Sequence, residues 1–211
     1  MRTDQLIDEL AADSGPVPRA GTRLAVAVAA GAALAVGGLS AVFGSPLDPI
    51  AQRGIGASGM KVLYPAIVAF FGTAAVLAAG RPGDRPIRWL IPVLMAVVVV
   101  LVAAILQYSA AAPGHRQHLW FGSTLTRCVS SVVLASVPTF IVLTIAFRAL
   151  APTNISLAGF LIGLTSGGAA AAAYALFCPE VSRLFLISAY TPAMLIPALA
   201  GAAIAPLTLR W

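Results

Sequence analysis

The chain has 211 residues, of which 60% are hydrophobic and only 9% are charged. Soluble domains carry about 25% charged residues, so this composition excludes a protein whose whole surface faces water. The formal net charge is +6, but the 13 basic residues lie singly between apolar segments and form no patch that would follow a phosphate backbone. We therefore expect an integral membrane protein that makes no direct contact with nucleic acid.

The chain begins with a short polar segment, residues 1–21, that has an amphipathic pattern. Its apolar residues recur at helical spacing and the remaining positions are acidic: Leu6, Ile7 and Leu10, and Asp4, Asp8 and Glu9. A helix of about eleven residues is marginal alone in water, and an acidic helix is repelled by anionic lipid. The pattern leaves two alternatives open, an element that docks on a partner and a passive tail.

Six apolar runs follow within residues 22–211, and each is close to the roughly 17–25 residues that span a bilayer as an α-helix. They are residues 24–43, 62–79, 89–106, 129–147, 155–177 and 184–207. No ionisable side chain lies in the middle of a run. The sequence therefore predicts an all-α fold, a six-helix transmembrane bundle preceded by a short amphipathic cytoplasmic helix.

The basic residues predict how the bundle is oriented, because loops on the cytoplasmic side are enriched in Lys and Arg. If the N-terminus is cytoplasmic, that side carries eight of the 13 basic residues, three of them in the short loop 81–88. We therefore expect both termini in the cytoplasm.

The fifth run contains a stripe of small residues, Gly159, Gly163 and Gly167. Such a stripe lets another helix approach closely, which matters in lipid because hydrophobicity gives no drive between helices. Packing inside the monomer is the favoured interpretation, and a homodimer is the alternative.

The two cysteines are predicted to lie near the same membrane face. Cys128 opens the fourth run and Cys178 closes the fifth, and only seven residues join these two runs. The runs should be antiparallel neighbours, with the thiols at depths of roughly 30 and 36 Å from the loop, at about 1.5 Å per residue. Three interpretations stay open: inert buried thiols, a structural disulfide, and a redox or thiol-sensing pair.

Catalytic and metal-binding patterns are weak. His115 and His118 lie in the same outer loop as Cys128, but their spacing matches no strong zinc signature, so no metal is predicted. The chain shows no nucleophile–base pair, glycine-rich phosphate loop or paired carboxylates, so neither an enzyme activity nor a cofactor is expected. A small-solute transporter or channel and a membrane thiol-redox protein remain as alternatives.

Short motifs are distributed along nearly the whole chain in a fixed order. They are Thr3-x-x-Leu6-Ile7-x-x-Leu10-Ala11-x-Asp13 with Pro16-Val17, then Lys61, Trp120 and Gly122 before Cys128, Cys178-x-Glu180, and the terminal Leu209-Arg210-Trp211. Together they resemble the NrsF-type family of negative regulators of extracytoplasmic-function sigma factors. The chain departs from the family pattern at Phe177, where a histidine is often seen, and at Leu47-Asp48, which replaces an aspartate-rich motif.

The resemblance implies a membrane-bound anti-sigma factor of a stress response, located in the inner membrane of a bacterium. Its partners would be an extracytoplasmic-function sigma factor and the lipid bilayer. Its cytoplasmic parts would hold the sigma factor away from RNA polymerase, and an envelope signal at the periplasmic cysteine pair would release it.

Overall fold

The computed structural model describes residues 20–45, 55–81, 83–112, 116–150 and 152–208, and all regular structure in these ranges is helical. The helices are α1 (Ala20–Phe43), α2 (Ile55–Ala79), α3 (Leu90–Ala110, after a 3-10 turn at Pro86–Trp89), α4 (Arg116–Phe121), α5 (Leu125–Phe147), α6 (Ile155–Ala175) and α7 (Arg183–Thr208). Within the described residues, all of these except α4 are long and apolar enough to cross a membrane. The predicted six-span, all-α fold is confirmed.

Several helices extend beyond the apolar runs that predicted them. α2 begins at Ile55 rather than at residue 62, and α3 continues to Ala110 rather than ending at 106. The runs stop at the first polar residues, whereas a helix continues because its backbone hydrogen bonds do not depend on side-chain polarity. Lys61 therefore lies inside α2 and not in a loop. The predicted amphipathic N-terminal helix lies outside the described residues.

Helix α6 is the centre of the bundle. Its sides pack against α2, α5 and α7, with further contact to α1, whereas α3 lies at the edge against α2 and the start of α7. Almost every α6 residue from 158 to 175 is buried. This segment is mostly Ala, Gly and apolar residues on all sides, and its two hydroxyl side chains, Thr165 and Ser166, bond to carbonyls of the same helix, which is the pattern of a helix surrounded by others.

The small-residue stripe of α6 faces α7. Gly159 lies against Gly201, Gly163 against Pro197, and Gly167 against Met194. A methyl group at Gly163 would overlap the carbonyl oxygen of Pro197, so the backbones of the two helices are in contact. The stripe is therefore occupied by α7 within the monomer.

This packing predicts that Gly163→Ala lowers the stability of the bundle. Overfilling a packed interior costs about 1–3 kcal/mol, and here the neighbouring atoms are backbone and cannot rotate away. The thermal unfolding midpoint in detergent should fall relative to Gly38→Ala, a matched control because nothing lies within 4 Å of its added methyl group. Equal midpoints for the two variants would contradict the assigned α6–α7 contact.

Candidate functional site

The two ends of the bundle carry different chemistry. One end, the cysteine end, is defined by Lys61, Cys128 and Cys178, which meet there. The other end, the arginine end, is defined by the 80–89 and 148–154 connections. It carries Arg81, Arg85, Arg88 and Arg148. At the arginine end, Arg148 Nε donates a hydrogen bond of 3.1 Å to the carbonyl oxygen of Thr208, the last residue of α7.

The cysteine pair joins the start of α5 to the end of α6. The backbone amide of Cys128 donates to the Thr124 carbonyl at 2.8 Å, and that of Cys178 donates to the Tyr174 carbonyl at 3.0 Å. Both side chains are unoxidised and buried, with 0% and 1% of their surfaces exposed. The Cys128 thiol donates a hydrogen bond to the Cys178 sulfur. Two thiols that are 50 positions apart in sequence are therefore in direct contact.

Lys61 ties α2 to the segment that follows Cys178. Its side chain is only 3% exposed, and Nζ donates to the carbonyl oxygens of Cys178 at 2.5 Å and Glu180 at 2.6 Å. A buried ammonium group loses several kcal/mol of hydration, and hydrogen bonds to a charged group return about 1.5–3 kcal/mol each. These two contacts explain why the side chain points inward rather than towards the membrane surface.

The groups around the Cys178 sulfur favour its thiolate form. The hydrogen bond from Cys128 and then the positive charge of Lys61 lower the pKa of Cys178 to about 6, against the opposing effect of burial. The Tyr190 hydroxyl, which is also buried, is directed at this sulfur and has no nitrogen or oxygen partner among the described residues. A lowered pKa at Cys178 favours the thiolate, which is the reactive form of a cysteine.

Helix α4 and the turn after it, residues 116–124, form a segment, called the lid, that is hydrogen-bonded to the 178–182 segment. The Glu180 carboxylate accepts hydrogen bonds of 2.9 Å from both the amide and the hydroxyl of Ser123. Gly122 has φ +52 and a Cβ there would lie 2.8 Å from the same carboxylate, so this turn requires a glycine.

Two further hydrogen bonds hold the lid to the beginning of α7. Ser182 Oγ donates to the Leu119 carbonyl at 3.0 Å, and Ser188 Oγ donates to the Trp120 carbonyl at 2.5 Å. Ser188 lies in the π-helical turn Leu186–Tyr190, directly before Pro192, which has no N–H to donate to the Ser188 carbonyl. The irregular turn brings both Ser188 and Tyr190 to the cysteine end.

The histidines and head residues that the sequence predicted as site residues lie wholly or partly outside the described part of the chain. His115 lies outside the described residues, and of His118 only the backbone position within α4 is described. Among the described residues, no group of three His, Cys, Asp or Glu side chains is placed to hold a metal ion. The head residues Leu6, Ile7, Leu10, Asp4, Asp8 and Glu9 also lie outside the described ranges.

Reasoning from sequence missed the roles of Lys61, Glu180 and Tyr190. Lys61 did carry a signal, because a single lysine at the edge of an otherwise apolar run is costly unless it has a partner. Glu180 is likewise the single acidic residue between the fifth and sixth runs. Tyr190 gave no such signal, because an aromatic residue in an apolar run is ordinary core.

The fold and this site define a multi-pass α-helical membrane protein with a contacting thiol pair at one end and arginines at the other. Residues 10–211 match the family model of NrsF, described as "Negative regulator of sigma F", and the chain belongs to this family.

Two relatives align with this chain over the full length of both sequences. The "Probable anti-sigma-F factor NrsF" of Azospira oryzae (strain ATCC BAA-33 / DSM 13638 / PS) is 35% identical over 215 residues. The "Anti-sigma-F factor NrsF" of Caulobacter vibrioides (strain NA1000 / CB15N) is 34% identical over 220 residues. No solved structure matches the chain.

The lid predicts that Glu180→Ala speeds the reaction of the buried thiols. Losing hydrogen bonds to a charged acceptor destabilises the closed lid by about 1.5–3 kcal/mol, which corresponds to at least a tenfold higher population of the open form. Labelling of the full-length protein in liposomes with a small maleimide, quantified for each cysteine peptide by mass spectrometry, measures this. Ser109→Ala is the control, because that exposed hydroxyl bonds only within its own helix, to Leu106. An unchanged rate would mean that the lid does not limit access.

Proposed function

We propose that this protein is a membrane-bound anti-sigma factor that sequesters an extracytoplasmic-function sigma factor at its cytoplasmic side. An envelope signal acts on Cys128 and Cys178 and releases the sigma factor. The observation that carries the proposal is the buried, hydrogen-bonded thiol pair in a chain of the sigma F regulator family. The names of both relatives as anti-sigma-F factors support the identity of the partner.

The proposal places the protein in the inner membrane of a bacterium with the arginine end in the cytoplasm. The distribution of Lys and Arg in the sequence supports this orientation, because basic loops are retained on the cytoplasmic side. The cysteine end then faces the periplasm, where thiols meet oxidants and disulfides persist. Both termini are cytoplasmic, so the head segment and the arginines act on the same side.

The signal in this proposal is a two-electron oxidant such as a peroxide. The Cys178 thiolate attacks one peroxide oxygen, the O–O bond breaks, hydroxide leaves and a sulfenic acid forms. The Cys128 thiol then attacks that sulfur, the S–S bond forms, the S–O bond breaks and water leaves. The thiols lose two electrons and two protons in total, and the peroxide is reduced to water. The direct contact between the two sulfurs makes Cys128 the resolving thiol.

The signal would pass from the cysteine end to the arginine end along helices α5 and α6. A disulfide holds its sulfurs about 2.05 Å apart, closer than two hydrogen-bonded thiols, so oxidation draws the start of α5 towards the end of α6. The opposite ends of these helices meet at the 148–154 connection, where Leu150 packs on Gly80 and Arg148 bonds to Thr208. Oxidation acts as a signal only if it changes the relative stability of two arrangements of these helices.

The 80–89 connection at the arginine end would enlarge the surface that binds the sigma factor. The head segment has about twenty residues, which bury less than the roughly 800 Å² per partner of a standard complex. Arg81 and Arg85 are exposed in the 80–89 connection, and Arg88 pairs with Asp84 at 2.9 Å and stacks over Trp89. An acidic surface on the sigma factor would complement these arginines.

The thiol mechanism predicts that the double variant Cys128→Ser, Cys178→Ser holds the sigma factor but no longer releases it on oxidant exposure. Transcription from a promoter that depends on this sigma factor, measured in the native host, should stay at its basal level. Ser130→Ala, on the exposed face of α5, is the matched control and should respond as the wild type does. Immunoblots of the membrane fraction establish equal amounts of protein. Normal induction of the double variant would end the thiol mechanism but not the anti-sigma role.

The head segment yields a separate prediction. Replacing Leu6, Ile7 and Leu10 together with Ala should remove the apolar face and reduce co-purification of the sigma factor by at least about tenfold, since burying three such side chains is worth several kcal/mol. Gln5→Ala is the control, because Gln5 lies off the predicted apolar face. Replacing Asp4, Asp8 and Glu9 with Asn and Gln separates the contribution of charge. Undiminished co-purification of the triple Ala variant would exclude the head as the docking element.

A further inference from the structure

Lys61 is a buried cation placed between one membrane span and the segment that carries Cys178. It lies in the second turn of α2, and its ammonium group donates to two carbonyl oxygens, those of Cys178 and Glu180. Both carbonyls belong to the short connection between α6 and α7. Lys61 therefore fixes the backbone on both sides of Pro179 and places a positive charge beside the cysteine pair.

The groups that face the Cys178 sulfur come from every element packed around it. Cys128 is contributed by α5, Lys61 by α2, Tyr174 by α6 and Tyr190 by α7, while Glu180 lies in the same segment. Among them, the carboxylate of Glu180 opposes a thiolate electrostatically, and its own side chain is already engaged by Ser123. Lys61 supplies the buried positive charge of this set, and the exposed Arg127 of α5 adds a second cation that acts on Tyr174.

We propose that Lys61 is the positioning residue of the cysteine site. Its ammonium group holds the 178–180 segment so that the Cys178 sulfur stays in contact with Cys128, and it makes Cys178 the thiol that reacts first. The inference deepens the proposed function and rests on it, since first reaction at Cys178 matters only if the cysteines sense an oxidant. At the Cys178 sulfur the positive charge of Lys61 adds to hydrogen bonds from Cys128, the Glu180 backbone and Tyr190, so removing the charge should weaken the preference for Cys178.

A lysine suits this position better than other residues. An ammonium group is a compact charge whose donors point in several directions, so it reaches two carbonyls and still acts on a nearby sulfur. Methionine would fill the space without donors or charge, and glutamine would keep donors without charge. These two substitutions separate the mechanical contribution of Lys61 from its electrostatic one.

The test is the pH profile of thiol alkylation in the full-length protein reconstituted in liposomes. Iodoacetamide is applied from pH 5 to pH 9, and the modified peptides of Cys178 and Cys128 are quantified separately by mass spectrometry. In the wild type, Cys178 should react first, and its rate should fall as the pH drops through about 6, the pKa of this thiol. Arg183→Gln is the control, since it removes an exposed cation at the same end of the bundle.

Lys61→Met and Lys61→Gln should both move the midpoint of the Cys178 profile upward by at least about one pH unit. Labelling should then fall about tenfold at pH 5 and about twofold at pH 7, in proportion to the thiolate fraction, while the rate at pH 9 stays near that of the wild type. Lys61→Gln serves as the second neutral variant if Lys61→Met does not fold, because it retains a donor for the carbonyls.

Two results would overturn the role of Lys61. In a folded neutral variant, an unchanged midpoint with Cys178 still reacting first would exclude it. Faster labelling at every pH would show that Lys61 only closes the structure over the thiols. These measurements need no sigma factor, so they are independent of the induction assay. A double cysteine variant that still responds to oxidant would refute the thiol mechanism of the proposed function even if Lys61 shifts the Cys178 profile.

Discussion

The close approach of α6 to its neighbours is the constraint on which the rest of the structure depends. Lipid tails are as apolar as the side chains they touch, so helices in a bilayer associate through packing rather than through hydrophobic burial. The glycines of α6 allow backbone contact with α7, and Gly168 allows the same against Ala69 of α2. Once α6 is held on these sides, the position of its end, and with it Cys178, is determined.

Helix α6 connects the two polar ends of the bundle, and these ends carry different chemical groups. The segment after α6 carries Cys178 and Glu180, which contact α2, α5 and the outer lid. At the other end, Asn154 caps the beginning of α6, and its side chain accepts a hydrogen bond of 2.9 Å from the Leu157 amide. The interior between the ends is mostly Ala, Gly and apolar residues, with a few buried Ser and Thr hydroxyls on α5 and α6.

The spans and the sharing of one end by the two cysteines could be predicted from the sequence, because both follow from run length and the rise of a helix. The contact between the thiols could not be, since it depends on how α5 and α6 rotate about their axes. The sequence placed Lys61 at the edge of the second apolar run, next to residue 62, whereas α2 begins six residues before Lys61, at Ile55. The hydrogen bonds between Ser123 and Glu180 join residues 57 positions apart, and no local sequence pattern predicts such a contact.

The burial of both thiols favours a sensor over a continuously active redox protein. A dithiol that exchanges electrons with many substrates needs an exposed sulfur, because each exchange passes through a mixed disulfide with the partner. Here Cys128 and Cys178 are 0% and 1% exposed, behind a lid fastened by Glu180, Ser182 and Ser188. Under the proposed function, this burial favours a small oxidant over a protein disulfide, because a protein disulfide would have to contact a buried sulfur directly.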